Sequence, residues 1–289
     1  MTELVIGASG QVGEHLFKAI QSADRDVIGT YNNRTAPGLF FLNIGEKASV
    51  RKFIRIYKPD VIYLPASLTN VDYCELHPKE SSKINVQGVK NVVDELKGTN
   101  SKLVYFSSDY IFDGVNGPYS ELDTPNPISE YGRQKLISED YISKKLTSYL
   151  ICRTTVVYSW ELQGKNFVQR LIHSLRKGDV VKIPVDQIGT PTYAPNLSQV
   201  VLELVQKDET SIYNIAGPDL ISRYDFAWAV AKIFDLDLRH IQGVETKDLN
   251  QPAKRPLNGG LIVNKVKKKI CCKLLGFEQG LKLMKLNGT

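Results

Sequence analysis

A glycine-rich turn joins the first strand of the sequence to its first helix, and it constrains the fold more than any other feature. Leu4–Ile6 is a short apolar run typical of a buried strand, and Gly7, Gly10 and Gly13 follow at three-residue spacing, with Gln11 and Val12 between them. Such glycines permit a tight turn, close approach of the backbone to a pyrophosphate and close packing of the helix. The turn therefore predicts a dinucleotide site, with a glycine-rich loop that binds nothing as the alternative.

The end of the second strand indicates which dinucleotide this site prefers. Asp26–Tyr31 reads as that strand, and Asn32, Asn33 and Arg34 follow it. Proteins that bind NAD place an acid here for the ribose 2′-hydroxyl, whereas an arginine suits a 2′-phosphate. The sequence favours NADPH, with NADH as a possible second cofactor. The alternative is a loop arginine in solvent.

Tyr131 and Lys135 are the best candidates for catalysis. Four residues apart on a helix, their side chains share one face. A phenol titrates near pH ~10, and a neighbouring ammonium lowers that pKa by stabilising the phenolate. The pair can then exchange a proton with a carbonyl or alcohol oxygen at neutral pH. This spacing is common on surface helices, so its combination with the glycine turn is what makes it specific.

Strands and helices alternate along the first half of the chain. Three further strands and a helix are predicted at Val61–Leu64, Lys102–Phe106, Tyr149–Cys152 and residues 79–96. This order predicts an α/β fold, a Rossmann-type doubly wound parallel sheet whose ligand crevice lies at the carboxyl ends of the strands. After residue 160 the pattern loosens, and helices are expected near 165–177, 195–206 and 222–234. We expect an NAD(P)-binding domain over residues 1–160 and a smaller substrate-binding lobe over 161–289, with an approximate boundary and interleaved lobes.

Composition limits the class of protein. The chain has 289 residues, of which 42% are hydrophobic and 24% charged, as in ordinary soluble proteins. No apolar stretch approaches the ~20 residues of a membrane span, and no signal peptide is visible, so we expect a cytoplasmic protein without a membrane partner. The cysteines, at 74, 152, 271 and 272, lack metal-ligand spacing, so no metal is expected. The net charge of +6 permits anionic ligands, but the basic run 265–269 is more typical of a solvated face than of a nucleic-acid site.

Several further segments, taken with the glycine turn and the Tyr131/Lys135 pair, resemble the extended short-chain dehydrogenase/reductases and, among them, the dTDP-4-dehydrorhamnose reductase family. These segments are Ser107–Gly114, Pro59–Ile62, Asn70–Glu75, Glu121–Pro127, Arg153–Thr154, Asp186–Thr192 and Arg255–Pro256. They cover nearly the whole chain in the family's order. The same group contains the regulatory β subunit of methionine adenosyltransferase.

The resemblance implies a role for each matching residue. Ser108 would hydrogen-bond the substrate carbonyl, Tyr131 would protonate the oxygen formed, and Lys135 would hold the nicotinamide ribose. The residues it assigns to the cofactor are Gly7, Gly10, Gln11, Val12, Gly13, Arg34, Asn43, Ala66, Ser67, Thr69, Asn85, Tyr131 and Lys135. Those it assigns to the substrate are Ser108, Asp109, Tyr131, Val156 and Arg255. For Ser108 the alternative is a cap of a turn, for Asn85 a solvent-facing amide, and for Arg255 an internal salt bridge.

Three departures from the family pattern fall where the substrate is expected. Val156 replaces a tryptophan that packs on substrate, and the segments Ala66–Thr69 and Leu257–Gly260 differ from the usual residues. The sequence thus indicates reductase chemistry more firmly than it indicates a rhamnose-type substrate.

Two functional classes follow from this pattern. The first is an NADPH-dependent reductase acting on the 4-keto group of a nucleotide-linked deoxysugar, with a nucleotide sugar as small-molecule partner and a possible homodimer. The second is a non-catalytic subunit that binds NADP and docks on a synthetase of the methionine adenosyltransferase type. An epimerase of the same superfamily is a weaker alternative, since such enzymes usually bind NAD.

Overall fold

The computed structural model describes residues 1–288. Its helices are α1 Gln11–Gln21, α2 Lys47–Tyr57, α3 Val71–Leu76, α4 Pro78–Ser82, α5 Val89–Leu96, α6 Glu130–Lys145, α7 Phe167–Arg176, α8 Ala194–Gln206, α9 Arg223–Ile233, α10 Asn264–Lys267 and α11 Phe277–Leu286. Its strands are β1 Glu3–Ile6, β2 Val27–Tyr31, β3 Leu39–Phe41, β4 Val61–Leu64, β5 Lys102–Ser108, β6 Tyr149–Thr154, β7 Val157–Tyr158, β8 Val181–Pro184, β9 Ile188–Gly189, β10 Thr192–Tyr193, β11 Ser211–Asn214, β12 Ile221–Ser222 and β13 Ile241–Val244.

A seven-stranded sheet forms the centre of the molecule, in the order β11-β6-β5-β4-β1-β2-β3. Every pairing within it is parallel. The order reverses between β1 and β4, where the chain changes direction across the sheet. Because ligands of such sheets bind in the crevice beyond the carboxyl ends of the strands at this reversal, the topology alone locates a candidate site.

The predicted Rossmann-type sheet is confirmed, with two additions that the sequence did not indicate. The five predicted strands correspond to β1, β2, β4, β5 and β6. The additions are the edge strands β3, only three residues long, and β11, which lies beyond residue 160. Both are too short to show a periodic pattern, so hydrophobic alternation could not reveal them.

Hydrophobic residues fill both faces of the large sheet. On one face Leu16 and Ile20 of α1 pack with Leu197 and Val201 of α8 in a single buried cluster. On the other face Val50 of α2, Val92 and Val93 of α5 and Ile142 of α6 form a second cluster. The sheet is therefore covered on both sides, as a parallel sheet requires.

The second half of the chain contributes both to the large sheet and to a smaller lobe. β11 extends the large sheet and α8 covers it, while α7, α9, α11 and three two-stranded sheets build a smaller lobe around a third cluster. The division at residue 160 into two interleaved lobes stays a prediction. Within residues 1–288 no helix is both long and apolar enough to cross a membrane.

Gly13 allows α1 to lie directly against the turn that follows β1. A Cβ on Gly13 would stand 2.1 Å from the Gly7 carbonyl oxygen, closer than any van der Waals contact permits. Gly7 itself has φ +94°, a conformation that L side chains rarely adopt. Gly13 is thus required by packing and Gly7 by its backbone conformation, independently of any ligand.

We predict that Gly13→Ala lowers the free energy of unfolding by about 1–3 kcal/mol, because the helix must move off the strand. Thermal denaturation without added nucleotide measures this effect. Gly10→Ala is the matched control, since a Cβ there would lie 3.4 Å from the Gly7 carbonyl oxygen, an ordinary contact. Equal destabilisation by the two substitutions would contradict the packing explanation.

Candidate active site

A cleft of about 760 Å³ opens at the carboxyl ends of the strands of the large sheet, where their order reverses. Most of the residues singled out from the sequence line it: Gly7, Gly10, Gln11, Val12, Gly13, Arg34, Ala66, Ser67, Thr69, Ser108, Asp109, Tyr131, Lys135 and Val156. Asn43, Asn85 and Arg255 lie elsewhere. The fold therefore brings residues from positions 7 to 156 to a single surface.

The glycine turn is held in place by its own backbone hydrogen bonds and leads into the start of α1. The Ala8 and Gly7 N–H groups donate to the carbonyl oxygen (2.7 Å) and side-chain hydroxyl (3.2 Å) of Thr30 on β2, which fixes the turn. α1 begins at Gln11 behind Gly10, whose position carries no side-chain cap. The first N–H groups of this helix can therefore bind an anion from the cleft.

Arg34 lies at the outer end of the cleft, beyond β2. Tyr31, Asn32, Asn33 and Arg34 all line it there, and none of the four is acidic. The Arg34 side chain is exposed and forms no ion pair within residues 1–288. A guanidinium that carries no internal partner remains free to bind a phosphate.

Tyr131 and Lys135 enter the cleft from α6, which packs tightly against the end of β5. The Lys135 ammonium donates to the Phe106 carbonyl oxygen at 2.8 Å and lies 5.7 Å from the centre of the Tyr131 ring. Gly132 permits this packing, because a Cβ there would stand 2.0 Å from the Tyr110 carbonyl oxygen. The Ser129 hydroxyl caps the helix by accepting from the Gly132 N–H.

Ser108, the last residue of β5, is hydrogen-bonded on both sides. Its hydroxyl donates to Asp109 Oδ1 at 3.1 Å and accepts from the Tyr110 N–H at 3.2 Å. Asp109 Oδ2 accepts from the Thr155 hydroxyl at 2.7 Å. The turn-capping alternative weighed for Ser108 is therefore present in the geometry, while its hydroxyl still lines the cleft beside Tyr131.

Burial dominates the ionisation of the central groups. It raises the pKa of Tyr131 above the ordinary value of a phenol, and the nearby Asp109 charge raises it further. It also lowers the pKa of Lys135 to about 7, against the attraction of Glu139. The expectation that Lys135 lowers the pKa of Tyr131 is thus not met in this structure. The physical reason is that desolvation disfavours the charged form of both buried groups.

Asn85 is buried behind the wall of the cleft, 1% exposed, rather than facing solvent or lining the surface. Its side-chain oxygen accepts from the Ser67 hydroxyl at 2.9 Å, and its amide donates to Gln134 Oε1 at 2.9 Å. The Ser138 hydroxyl donates to the Asn85 carbonyl at 2.7 Å. Asn85 therefore ties the loop after β4 to helix α6 on either side of Lys135.

The backbone around Asn85 is a π-helix, Lys83–Gly88, between α4 and α5. Sequence periodicity predicts one continuous helix here, over residues 79–96. A π-helical turn inserts an extra residue per turn and frequently occurs at functional sites. In this structure the π-helix lets the Asn85 side chain bond both the loop after β4 and helix α6, while its backbone carbonyl bonds α6 as well.

Asn43 and Arg255 are engaged outside the cleft. Asn43 accepts from the Gly45 N–H at 3.0 Å and donates to Glu46 at 3.1 Å, which fixes the turn before α2. Arg255 forms an ion pair with Asp72 at 2.8 Å and lines a separate cavity of about 750 Å³. For Arg255, the internal salt bridge weighed from the sequence is what the geometry contains.

Val156 lines the cleft with a left-handed backbone. Its φ is +44°, which is unfavourable for a β-branched side chain. The neighbouring Thr155 is buried and holds Asp109, so the strained residue lies between the candidate catalytic end and the smaller lobe. Such strain persists only where the surrounding structure fixes it.

The smaller lobe contributes cleft residues that sequence reasoning did not select. Gln187 and Arg223 line the cleft from this lobe, as do Glu161, Lys165 and Asn166. They lie where the strand–helix pattern loosens. Gln187 belongs to the segment Asp186–Thr192 that resembles the family, but neither it nor the other four residues were given a role in the site. The one available signal was that the lobe follows the sheet and must close over its carboxyl edge.

A cluster of His, Cys, Asp and Glu side chains suited to a metal ion is not found in residues 1–288. The polar groups that line the cleft are hydroxyls, amides, phenols, cations and the separate carboxylates of Asp109 and Glu161.

Comparison with known proteins gives consistent matches. The model of the RmlD substrate binding domain family matches residues 1–287. A dTDP-4-dehydrorhamnose reductase of Aggregatibacter actinomycetemcomitans is 30% identical over 276 residues, with 91% of each chain covered. The crystal structure of dTDP-4-dehydrorhamnose reductase from Bacillus anthracis in complex with NADP superposes with a TM-score of 0.91 at 25% identity, covering 99% of each chain. The methionine adenosyltransferase 2 subunit beta of Xenopus tropicalis is 28% identical, over 92% of this chain and 81% of that one.

We predict that Lys135→Met stabilises the protein more at pH 7 than at pH 9. The folded-state pKa of Lys135, about 7, lies below the ~10.4 of an unfolded lysine. The cost of burying the charge is therefore fully present below pH 7 and fades as the pH rises toward 10. The difference in unfolding free energy between variant and parent should shrink by roughly 2 kcal/mol between pH 7 and pH 9.

Urea titrations at the two pH values measure this difference. Lys144→Met, on the exposed face of α6, is the matched control. A pH-independent difference for Lys135→Met would show that its ammonium does not titrate in this range.

Proposed function

The chain belongs to the RmlD substrate binding domain family, and on that premise we propose that it is an NADPH-dependent reductase of the 4-keto group of a nucleotide-linked deoxysugar, of the dTDP-4-dehydrorhamnose reductase type. The observation that carries the proposal is the meeting of Ser108, Tyr131 and Lys135 at one end of a cleft whose other end is the glycine turn. Reduction of a carbonyl by hydride transfer needs a proton donor beside the nicotinamide dinucleotide. This cleft offers a proton donor at one end and a dinucleotide-binding turn at the other.

The residues that line the cleft fit a nicotinamide dinucleotide that carries a 2′-phosphate. The glycine turn and the uncapped start of α1 would hold the pyrophosphate, and Arg34 would hold the 2′-phosphate. Ala66, Ser67 and Thr69 would line the path between these ends, with Asn85 holding that loop from behind. When bound, NADPH supplies the hydride.

Tyr131 is suited to donate the proton. Because burial raises its pKa, the phenol keeps its proton at neutral pH and can pass it to an oxygen that gains negative charge. Lys135 lies behind the phenol, where the Phe106 carbonyl holds its ammonium, and it would hold the nicotinamide ribose. Ser108 would exchange its hydrogen bond to Asp109 for one to the substrate oxygen.

The substrate would enter from the smaller lobe, between Asp109 and Val156. With a valine where the family carries a tryptophan, the pocket should be wider and less selective for rhamnose-type sugars. Arg255 remains a proposed diphosphate contact, although it would first have to leave Asp72. A homodimer and a cytoplasmic location are part of the proposal and rest on the resemblance alone.

A panel of 4-keto-6-deoxy nucleotide sugars with NADPH tests the function, monitored by loss of nicotinamide absorbance. Turnover of one or more of them supports the reductase. Tight NADPH binding without turnover of any would favour the non-catalytic subunit, a class represented among the relatives.

We predict that Tyr131→Phe lowers turnover by roughly 10²–10⁴-fold, the usual contribution of a positioned acid, and leaves NADPH affinity nearly unchanged. Steady-state kinetics and fluorescence titration measure the two effects. Tyr141→Phe makes the same change further along α6, where the hydroxyl bonds Asp94 outside the cleft, and should keep full turnover. Full activity of Tyr131→Phe would disprove the proton-donor role.

We predict that the protein binds NADPH more tightly than NADH and that Arg34→Asp erases or reverses this preference. Losing one charge-assisted contact to the 2′-phosphate should cost about 1.5–3 kcal/mol. Arg176→Asp makes the same charge change on α7, away from the cleft, and should leave both affinities as they are. Equal affinities of the parent protein for the two nucleotides would remove the basis of the Arg34 assignment.

A further inference from the structure

Arg223 is a cation in the cleft that no carboxylate neutralises. Arg34, Arg170, Arg176 and Arg223 are the arginines that form no ion pair within the described residues 1–288, and of these only Arg34 and Arg223 line the cleft. Arg34 lies at the end that the cofactor's 2′-phosphate would occupy. Arg223 lies in the smaller lobe, as the first residue of α9, and has no role in the chemistry described so far.

The Arg223 side chain is half-buried and supported. Its guanidinium carbon lies 4.8 Å from the centre of the Phe167 ring, so one flat face is covered by an aromatic ring. Its backbone N–H donates to the Gln187 carbonyl at 2.7 Å, which fixes the start of α9. Stacking on a ring uses the face of a guanidinium and leaves its N–H edges for acceptors.

The location of Arg223 associates it with the catalytic end of the cleft. Its charge interacts with Asp109 and Tyr110, which follow Ser108, and it is repelled by Arg170 and Arg255. Burial and this repulsion lower the pKa of Arg223 below its usual range. An anion bound here would offset both the burial of the Arg223 charge and its repulsion by other arginines. It would replace the electrostatic stabilisation that the guanidinium lost when it left water.

Asp109 does not already serve as the counter-ion. Its two oxygens accept hydrogen bonds from Ser108 and Thr155, and no ion pair joins it to Arg223. Burial raises the pKa of Asp109, which weakens it further as a permanent anion. Arg255, the arginine selected from the sequence, is held by Asp72 and lines the neighbouring cavity instead.

We propose that Arg223 binds the diphosphate of the nucleotide-sugar substrate. The inference rests on the proposed function for the identity of the anion, and its argument is geometric. The cofactor's phosphates would be held by the glycine turn and Arg34, whereas Arg223 lines the cleft from the smaller lobe, close enough to Asp109 for their charges to interact. A guanidinium whose N–H edges are free can grip two phosphate oxygens at once.

The test measures binding of thymidine diphosphate and of thymidine to protein saturated with NADP⁺, by isothermal titration calorimetry. Arg223→Met should weaken thymidine diphosphate binding by roughly 10- to 150-fold, as for loss of one charged hydrogen-bonding group, and leave thymidine binding unchanged. Arg223→Lys keeps the positive charge but loses the two-pronged N–H geometry of the guanidinium. Its affinity for thymidine diphosphate should lie between those of the parent and the Met variant. Arg176→Met, an unpaired arginine away from the cleft, should bind both ligands as the parent does.

Each contrary result has a distinct meaning. Unchanged thymidine diphosphate affinity in Arg223→Met overturns the inference, and so does an equal loss for thymidine or NADP⁺, since either would indicate a structural role. The inference is also overturned if the parent protein binds neither thymidine diphosphate nor, in a second titration, uridine diphosphate. The turnover panel judges the proposed reductase separately, so an active parent with an unaffected Arg223→Met variant would reject this assignment alone.

Discussion

The contact between helix α6 and the end of β5 determines the geometry of the candidate site. Gly132 lets the helix touch the Tyr110 carbonyl, and this approach brings Tyr131 beside Ser108 and Lys135 within hydrogen-bonding distance of Phe106. A side chain at position 132 would hold α6 away from β5. It would thereby separate the Tyr131 phenol from Ser108 at the end of that strand. Close packing of backbone on backbone therefore precedes, and makes possible, any proton transfer in this cleft.

Two kinds of buried charge support that contact in different ways. Arg153 on β6 and Glu139 on α6 form a buried pair, with Nη2 and Oε2 2.7 Å apart, one turn beyond Lys135. Arg153 Nε and Nη2 both donate to the Glu139 carboxylate, so the pair anchors the helix, while Arg153 Nη1 is buried without a hydrogen-bond partner. Lys135, by contrast, forms no ion pair within residues 1–288, and the attraction of Glu139 does not offset its burial, so its charge is costly. A group held at such a cost is suited to interact with a ligand rather than with the fold.

The sequence was sufficient for five of the seven strands of the sheet, the glycine turn and the Tyr131/Lys135 helix, because each produces a local pattern. It was insufficient wherever a side chain had a choice of partners. Nothing in the spacing shows that Arg255 would meet Asp72, that Asn43 would fix its own turn, or that Asn85 would be buried behind the wall. Arg223 was missed for the converse reason, since what distinguishes it is that its side chain forms no ion pair within residues 1–288, which no spacing can show.

The crossing of the chain between lobes has a consequence for how the molecule can be divided. β11 completes the large sheet beside β6, and α8 covers the face shared with α1, yet both lie beyond residue 160. A fragment ending there would leave β6 as an unpaired edge and the apolar face of α1 in water. Residues 1–160 therefore do not form a self-contained folding unit, and a change that loosens the packing of β11 or α8 should lower the stability of the large sheet as a whole.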